Sequence, residues 1–373
     1  MILNPNHGSY RAGDVQFLVT PLAEHQLQQA NDVQQKEKLI QSGQRHYSEM
    51  LSLERAPSQT YLSLFHSAFE ENLPRLARDC LHLAHMIAER RSGPITLVSL
   101  LRAGTPIGVI LKHLLQNVFG REVKHFSISI IRERGLDLQA LQHILQQGCA
   151  PQSLVFVDGW TGKGGIGAQL RLSVEDFNAK SGLAAVDAGL FVLSDLAGVA
   201  SCSASYEDYL IPSAILNSTV SGLISRSVLN QHIQATQFHG CMFYPQLAAH
   251  DLSTQFVDGV LQATQRMTVT AESVLPPAAT KAAQLTAART MQTFLQACQS
   301  EFGIRDINLI KPGIGEASRA LLRRAPRRLL LRDLSHPACA HMLALAKEKS
   351  IEVLHQPKLA YLAVALIHNA MEA

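Results

Sequence analysis

The sequence predicts an α/β chain built on a parallel sheet, and three observations carry that prediction. Short apolar, β-rich runs alternate with helical patterns between residues 95 and 200. Two of those runs end in polar, glycine-containing turns that lead into helical segments. Apolar residues make up 47% of the 373 positions, enough to bury a large core and to form two or more domains. In parallel sheets ligands sit beyond the carboxyl ends of the strands, so the two turns are the first places to look for a site.

Residues 1–90 hold a polar stretch from Gln28 to Gln44 and then two helix-like runs, starting near Tyr61 and Leu73. His82 and His85 on the second run lack nearby acids or thiols to complete a ligand set, so they read as a half-exposed helix face. The first junction follows: a strand from Ile95, the turn Arg102-Ala103-Gly104, and an apolar helix around Val109. An anion-holding loop and a plain strand–helix turn fit it equally. Residues 125–137 form a β-rich run ending in the charged loop of Arg132, Glu133, Arg134 and Gly135, which by itself reads as a solvated strand end.

At the second junction, Leu154 to Gly167, an apolar strand ends in Asp158 and a glycine-dense turn follows. Glycines permit positive φ and bring successive N–H groups close to an anion. Thr161 adds a hydroxyl donor and Lys163 a charge, and the helix that follows favours the same anion at its N-terminus. Thr161, Gly162, Lys163, Gly164 and Gly165 are therefore the candidate phosphate ligands. The spacing is not that of a Walker-type triphosphate loop, because only two residues separate Gly159 from Gly162-Lys163, and Gly164 follows the lysine.

Residues 205–245 read as an insertion on the substrate side. Asp208, Tyr209, Asn217, Ser218, Thr219 and Arg226 offer hydrogen bonds and one stacking ring to a flat polar acceptor, and the same stretch reads equally as a turn with a capped helix start. After the break at Pro276-Pro277, residues from about 285 alternate helix and strand and concentrate positive charge in Lys311, Arg319, Arg323 and Arg324, behind the glycines Gly313 and Gly315. Clustered arginines can neutralise phosphates, and they can also form a solvated helix face.

The six cysteines are scattered without Cys-x-x-Cys spacing, which argues for a reducing compartment and against structural zinc. A thiol peptidase needs a thiolate beside an imidazole; Cys202 or Cys241 would have to meet His239, whereas small buried thiols are the commoner fate of cysteine. The net charge of +3 implies no acidic partner globally. The apolar windows are interrupted by Arg102, Pro106, Asp187 or Asp195, so no bilayer span is expected, and the opening residues lack the apolar core of a secretory signal. A cytoplasmic protein is the expectation.

The Leu101-Arg-Ala-Gly104 run is similar to uracil phosphoribosyltransferases, and the Asp158 loop resembles the ribose-phosphate loop of type I phosphoribosyltransferases, with Gly159 in place of a second acid. Together with Ser127-Ile-Ser-Ile-Ile-Arg132, Val157-Asp-Gly-Trp-Thr-Gly-Lys-Gly164 and the stretch from Asp208 to Arg226, these make residues 1 to about 270 resemble a bacterial phosphoribosyltransferase-like family found with tellurite-resistance and stress genes. Some of its members carry the name cysteine protease StiP. The resemblance implies a type I phosphoribosyltransferase-like sheet with helices on both faces. It also implies an enzyme that displaces diphosphate at the ribose anomeric carbon of phosphoribosyl diphosphate or a related compound, with Mg²⁺ carried by the diphosphate and no metal ligands of its own. Arg102, Arg132 and Arg134 would stabilise the leaving group with the backbone of Ala103 and Gly104, and Asp158 would hold the ribose.

Residues from about 285 resemble the Pelota-type RNA-binding domain, a compact α/β/α module. That likeness implies RNA contact through Lys311, Gly313, Gly315, Arg319, Arg323 and Arg324. The expected domains are 1–275, with a helical extension over about 1–90, and 285–373. The rival function is a non-catalytic ribonucleotide- or RNA-binding regulator, favoured by Gly159; a cysteine protease ranks third. A homo-oligomer is compatible with the sequence.

Overall fold

The computed structural model describes residues 3–29, 33–182, 185–267 and 281–369; the Pro276-Pro277 break lies outside the described residues. Six strands, β1 (Gln16–Leu18), β2 (Ile95–Leu101), β3 (Val123–Ile131), β4 (Leu154–Thr161), β5 (Leu190–Asp195) and β6 (Cys202–Ser205), pair in parallel in the order β1-β3-β2-β4-β5-β6. A short strand, Gly135–Leu136, joins β3 antiparallel. Side chains alternate across this sheet. Leu97, Val155, Val157 and Phe191 pack on one face under helices α1 (Gln59–Arg90), α2 (Gly104–Asn117) and, farther along, α5 (Ser253–Gln265). Val98, Leu100, Phe156 and Val192 pack on the other under α3 (Leu138–Gln146) and α4 (Gly165–Ser181). Burial of both faces is why these strands read as continuous apolar runs.

Two local readings change. The two helix-like runs near the N-terminus are one helix of 32 residues that continues through Pro74. Proline costs a helix interior about 3 kcal/mol, but the buried row Phe65, Ala68, Leu76, Ala77, Cys80 and Leu83 runs on across it and outweighs the lost hydrogen bond. His82 belongs to that row and is buried, not half-exposed, whereas His85 is half-exposed, with its ring tilted 5.7 Å from that of Phe119. Strand β4 likewise continues past Asp158, because Asp158, Trp160 and Thr161 stay in register with Val192, Ser194 and Asp195 of β5. The turn shrinks to Gly162–Gly164, where Gly164 (φ 85°) starts α4.

The C-terminal unit contains α6 (Lys281–Phe302), β7 (Ile310–Pro312), α7 (Ile314–Arg323), β8 (Pro326–Leu331), α8 (Ala340–Glu348), β9 (Glu352–His355) and β10 (Ala363–Ile367). Its sheet order is β7-β10-β8-β9, with β8 and β9 parallel and the other pairs antiparallel. Helix α6 covers one face through Met291, Leu295 and Cys298. Helices α7 and α8 cover the other, and Ile314, Ala317 and Leu321 of α7 join the apolar cluster of the large sheet. Helix α7 is thus shared between the two cores. None of the described helices is long and apolar enough to cross a membrane.

Candidate functional site

Arg102 follows β2 and is 5% exposed. Its Nη1 donates to Glu54 Oε1 at 2.6 Å and to the Ile224 carbonyl at 3.0 Å, and its Nη2 donates to Asn217 Oδ1 at 2.9 Å. The Nε of Arg102 is buried without a partner among the described residues. Asn217 Oδ1 also receives Arg323 of α7, from Nε at 2.9 Å and Nη2 at 2.6 Å. Glu54 spends its second oxygen on the Ser218 amide, 2.8 Å away. Arg226 donates to the carbonyls of Tyr47 and Met50, and the Tyr47 ring lies between Arg226 and Arg132 at 5.6 Å from each guanidinium carbon.

The end of β4 forms the second wall. Arg319 of α7 sits 4.6 Å above the Trp160 ring. Gly315 is required there, since a Cβ would come within 2.8 Å of the indole. Lys163 donates to the Ile310 carbonyl at 2.6 Å and Arg132 to Asn308 Oδ1 at 2.9 Å. Arg324 forks onto Glu37 at 2.5 and 2.6 Å. Asp208 clamps the C-terminal unit by accepting the amides of Ile314 at 2.9 Å and Leu362 at 2.7 Å.

Arg102, Arg226, Arg319, Arg323, Lys163 and Lys311 outnumber Glu54, Asp158 and Glu316 in this cluster, and burial with mutual repulsion shifts their ionisation. Burial lowers Lys163 to about 7 and Lys311 to about 8, with Lys311 repelling Lys163 further. Burial followed by repulsion from Arg102 lowers Arg319 to about 10 and pushes Arg323 well below the ordinary arginine value. Asp158 is raised to about 7 by burial, although the Gly159 amide and Arg319 pull it back. Glu316 shows the opposite balance: burial acts to raise it, yet Lys311, Lys163, Arg319 and Arg323 leave it below the ordinary value. Cations held in such a place seek an anion.

Of the residues singled out from sequence, the structure gathers Arg102, Arg132, Asp158, Lys163, Asn217, Arg226, Lys311, Arg319 and Arg323 into one cluster. Arg134 instead pairs with Glu49 at 2.5 Å on the surface. Thr161 donates to Asp195 Oδ1 at 2.6 Å and accepts the Ala197 amide, so its hydroxyl is engaged in the sheet instead of offered to a ligand. Gly104 serves packing: a Cβ would meet the Val157 carbonyl at 2.4 Å. Ala103 is buried beside it, Gly165 is exposed, and a Cβ on Gly162 would meet Glu316 at 2.9 Å. Tyr209 is not a stacking platform, because Arg75 covers its ring at 3.9 Å. Asp208 holds the C-terminal unit, and Ser218 and Thr219 are buried.

The residues expected to meet RNA pack largely against the rest of the chain. Gly313, Gly315, Arg319, Arg323 and Arg324 contact the large sheet and its loops, because α7 is the helix both cores share, while Lys311, Arg319, Arg323 and Arg324 stay partly exposed. Sequence reasoning missed Glu54, Asn308 and Glu316, which carry no motif. It also gave no role to Trp160, whose position as the single tryptophan inside the glycine run was a usable signal. Among the described residues there is no group of three His, Cys, Asp or Glu that could hold a metal ion, and Asp158 and Glu316 lie beside lysines and arginines.

All six thiols are buried. Burial raises Cys80 and Cys202 and pushes Cys241, Cys298 and Cys339 up to about 12. Cys202 Sγ lies 3.5 Å from Met86 Sδ. The His239 ring is held by Ser129 Oγ at 2.7 Å, and its amide by Asp137 at 2.6 Å.

A family model described as tellurite-like stress resistance cysteine protease StiP matches residues 8–261, and a model of the PELOTA RNA binding domain matches residues 289–369. A protein of Acinetobacter baylyi named cysteine protease StiP is 41% identical over 336 residues, covering 87% of this chain and 84% of that protein. A crystal structure of a multiple substrate aminotransferase from Thermococcus profundus aligns with 82% of this chain and 75% of that one at 11% identity and a TM-score of 0.21, a likeness too low to bear on fold or function. The expectation of a phosphoribosyltransferase is overturned here, since the matching family and relative are both described as a cysteine protease.

Proposed function

This chain belongs to the family of the tellurite-like stress resistance cysteine protease StiP, and from that premise we propose that its working site is the basic cleft beneath the C-terminal unit, which holds a phosphate-bearing small molecule. One observation carries the reading. Arg102, with 2% of its side chain exposed, keeps an unpartnered Nε and shares its amide acceptor with a second guanidinium. A buried guanidinium N–H left without an acceptor is costly even beside the Glu54 pair, and a phosphoryl group supplies both charge and oxygens. The parallel order β1-β3-β2-β4-β5-β6 supports a type I phosphoribosyltransferase-like scaffold, a statement about architecture alone. Six free thiols suit a reducing, cytoplasmic compartment. Because residues 289–369 match an RNA binding domain, RNA is the other source of phosphate.

Calorimetry with sodium pyrophosphate and with a short RNA hairpin separates the two sources. Pyrophosphate should bind the wild type and lose affinity on Arg102→Gln. Silence from pyrophosphate over the millimolar range, or binding that Arg102→Gln leaves intact, would sink this reading.

A second reading, a thiol peptidase, rests on the relative's name and 41% identity. Its candidate residues here are Cys241, two positions after His239, and Cys202. Both thiols are buried with raised pKa values, so this chemistry requires one of them to become uncovered.

A further inference from the structure

We propose that the anion site is composite, completed by Arg319 and Arg323 of the C-terminal unit, so that a bound phosphoryl group lies between the two units. The inference rests on the cleft reading above and deepens it.

Glu316, Arg319 and Arg323 are spaced three and four apart on α7 and so share one face of that helix. That face meets Glu54 and Asp158, but cations outnumber them. It also meets Arg102 and Arg226, with the neutral Asn217 oxygen as the acceptor between Arg102 and Arg323. A carbonyl oxygen has two lone pairs, and here three N–H groups point at one. The Nε atoms of both Arg102 and Arg319 stay buried without partners among the described residues, one from each side of the cleft. The approach of Arg323 to Arg102 gains nothing by itself, and the units are held by other contacts such as Arg324 with Glu37. The arrangement becomes favourable when an anion accepts the unused donors of both.

The ligand class follows from the donors. Guanidinium forks on opposite walls suit a group with oxygens on several sides, such as phosphate or diphosphate, better than a single carboxylate. The Trp160 indole, already covered by Arg319, holds that guanidinium over the cleft.

The test titrates sodium pyrophosphate into the full chain and into Arg102→Gln, Arg319→Gln, Arg323→Gln and Arg323→Lys. Arg319→Gln and Arg323→Gln should each weaken binding roughly 10- to 100-fold, the range for one charge-assisted contact; Arg323→Lys should recover part of the loss. If the wild type binds and Arg102→Gln does not, while both α7 variants bind like wild type, the composite site is overturned and the cleft reading stands. If the wild type does not bind, both fall. Melting without ligand guards against a merely structural role. Arg323→Gln removes a repelled cation and should melt at or above the wild type; a melt well below it would overturn the proposal.

Discussion

Arg102 and Arg323 converge on one atom: the Asn217 Oδ1 oxygen accepts Arg102 Nη2 at 2.9 Å and Arg323 Nε and Nη2 at 2.9 and 2.6 Å. A neutral amide is a weak counterpart for two guanidinium groups on different structural units. A carboxylate at that position would do intramolecularly what an anion does from outside. Asn217→Asp should therefore raise the ligand-free melting temperature, on the order of 5 °C, and weaken pyrophosphate binding at least roughly tenfold. A lower melting temperature with unchanged affinity would show that the cluster is not short of negative charge.

Much of this was readable in the sequence, and the failures share a cause. The parallel sheet was legible because its strands are apolar on both faces, and the two glycine turns marked its carboxyl edge. Arg102, Asp158 and Lys163 fall on that edge. The role of Thr161 was not legible, because its hydroxyl is claimed by Asp195 on a neighbouring strand, a pairing fixed only by register. The direction of Arg319 and Arg323 was hidden for a similar reason. Local sequence shows that α7 has a basic face, but only docking decides that the face turns inward.

Thr161→Val tests that correction. Removing the donor leaves Asp195 Oδ1 with the Val199 amide, and leaves the Ala197 amide without its hydroxyl acceptor. The loss should be about 1–3 kcal/mol in chemical denaturation, the range for an unsatisfied buried polar group. Pyrophosphate affinity should stay within roughly threefold of wild type, since the hydroxyl points into the sheet; a larger drop would return Thr161 to the site.

The carboxyl of Asp158 makes stability depend on pH. Its folded value of about 7 lies above the ordinary 3.8, so the folded protein keeps a proton that the unfolded chain has released. The contribution is therefore fully present below about pH 4 and is lost as pH rises through 7. Asp158→Asn should match wild type near pH 4 and melt higher above pH 7. Parallel melting curves across that range would remove the raised pKa.

Asp208 joins the units by accepting two amides, from Ile314 and Leu362. Asp208→Ala strands both N–H groups and opens a gap beside Gly313. Hydrogen exchange should speed up in peptides covering residues 310–320 and 359–366, and stability should fall by about 2–4 kcal/mol. Unchanged exchange at both segments would show that apolar packing of α7 alone holds the C-terminal unit in place.

The thiols decide between the two functional readings. A nucleophilic cysteine is a thiolate at neutral pH, which requires a lowered pKa and a path for the substrate. Here burial raises Cys202 and pushes Cys241, Cys298 and Cys339 up to about 12, and all six thiols are enclosed. Iodoacetamide at pH 7.5 (about one unit below a free thiol's pKa) should leave the folded chain unlabelled and modify every cysteine in urea. Hydrolysis of casein by the full chain should be absent both with and without pyrophosphate. The peptidase reading demands the reverse at one position: a single cysteine labelled in the folded state, with hydrolysis abolished by its alanine variant. Labelling confined to Cys241, together with loss of hydrolysis on His239→Ala, would establish the peptidase and reduce the basic cleft to a regulatory site.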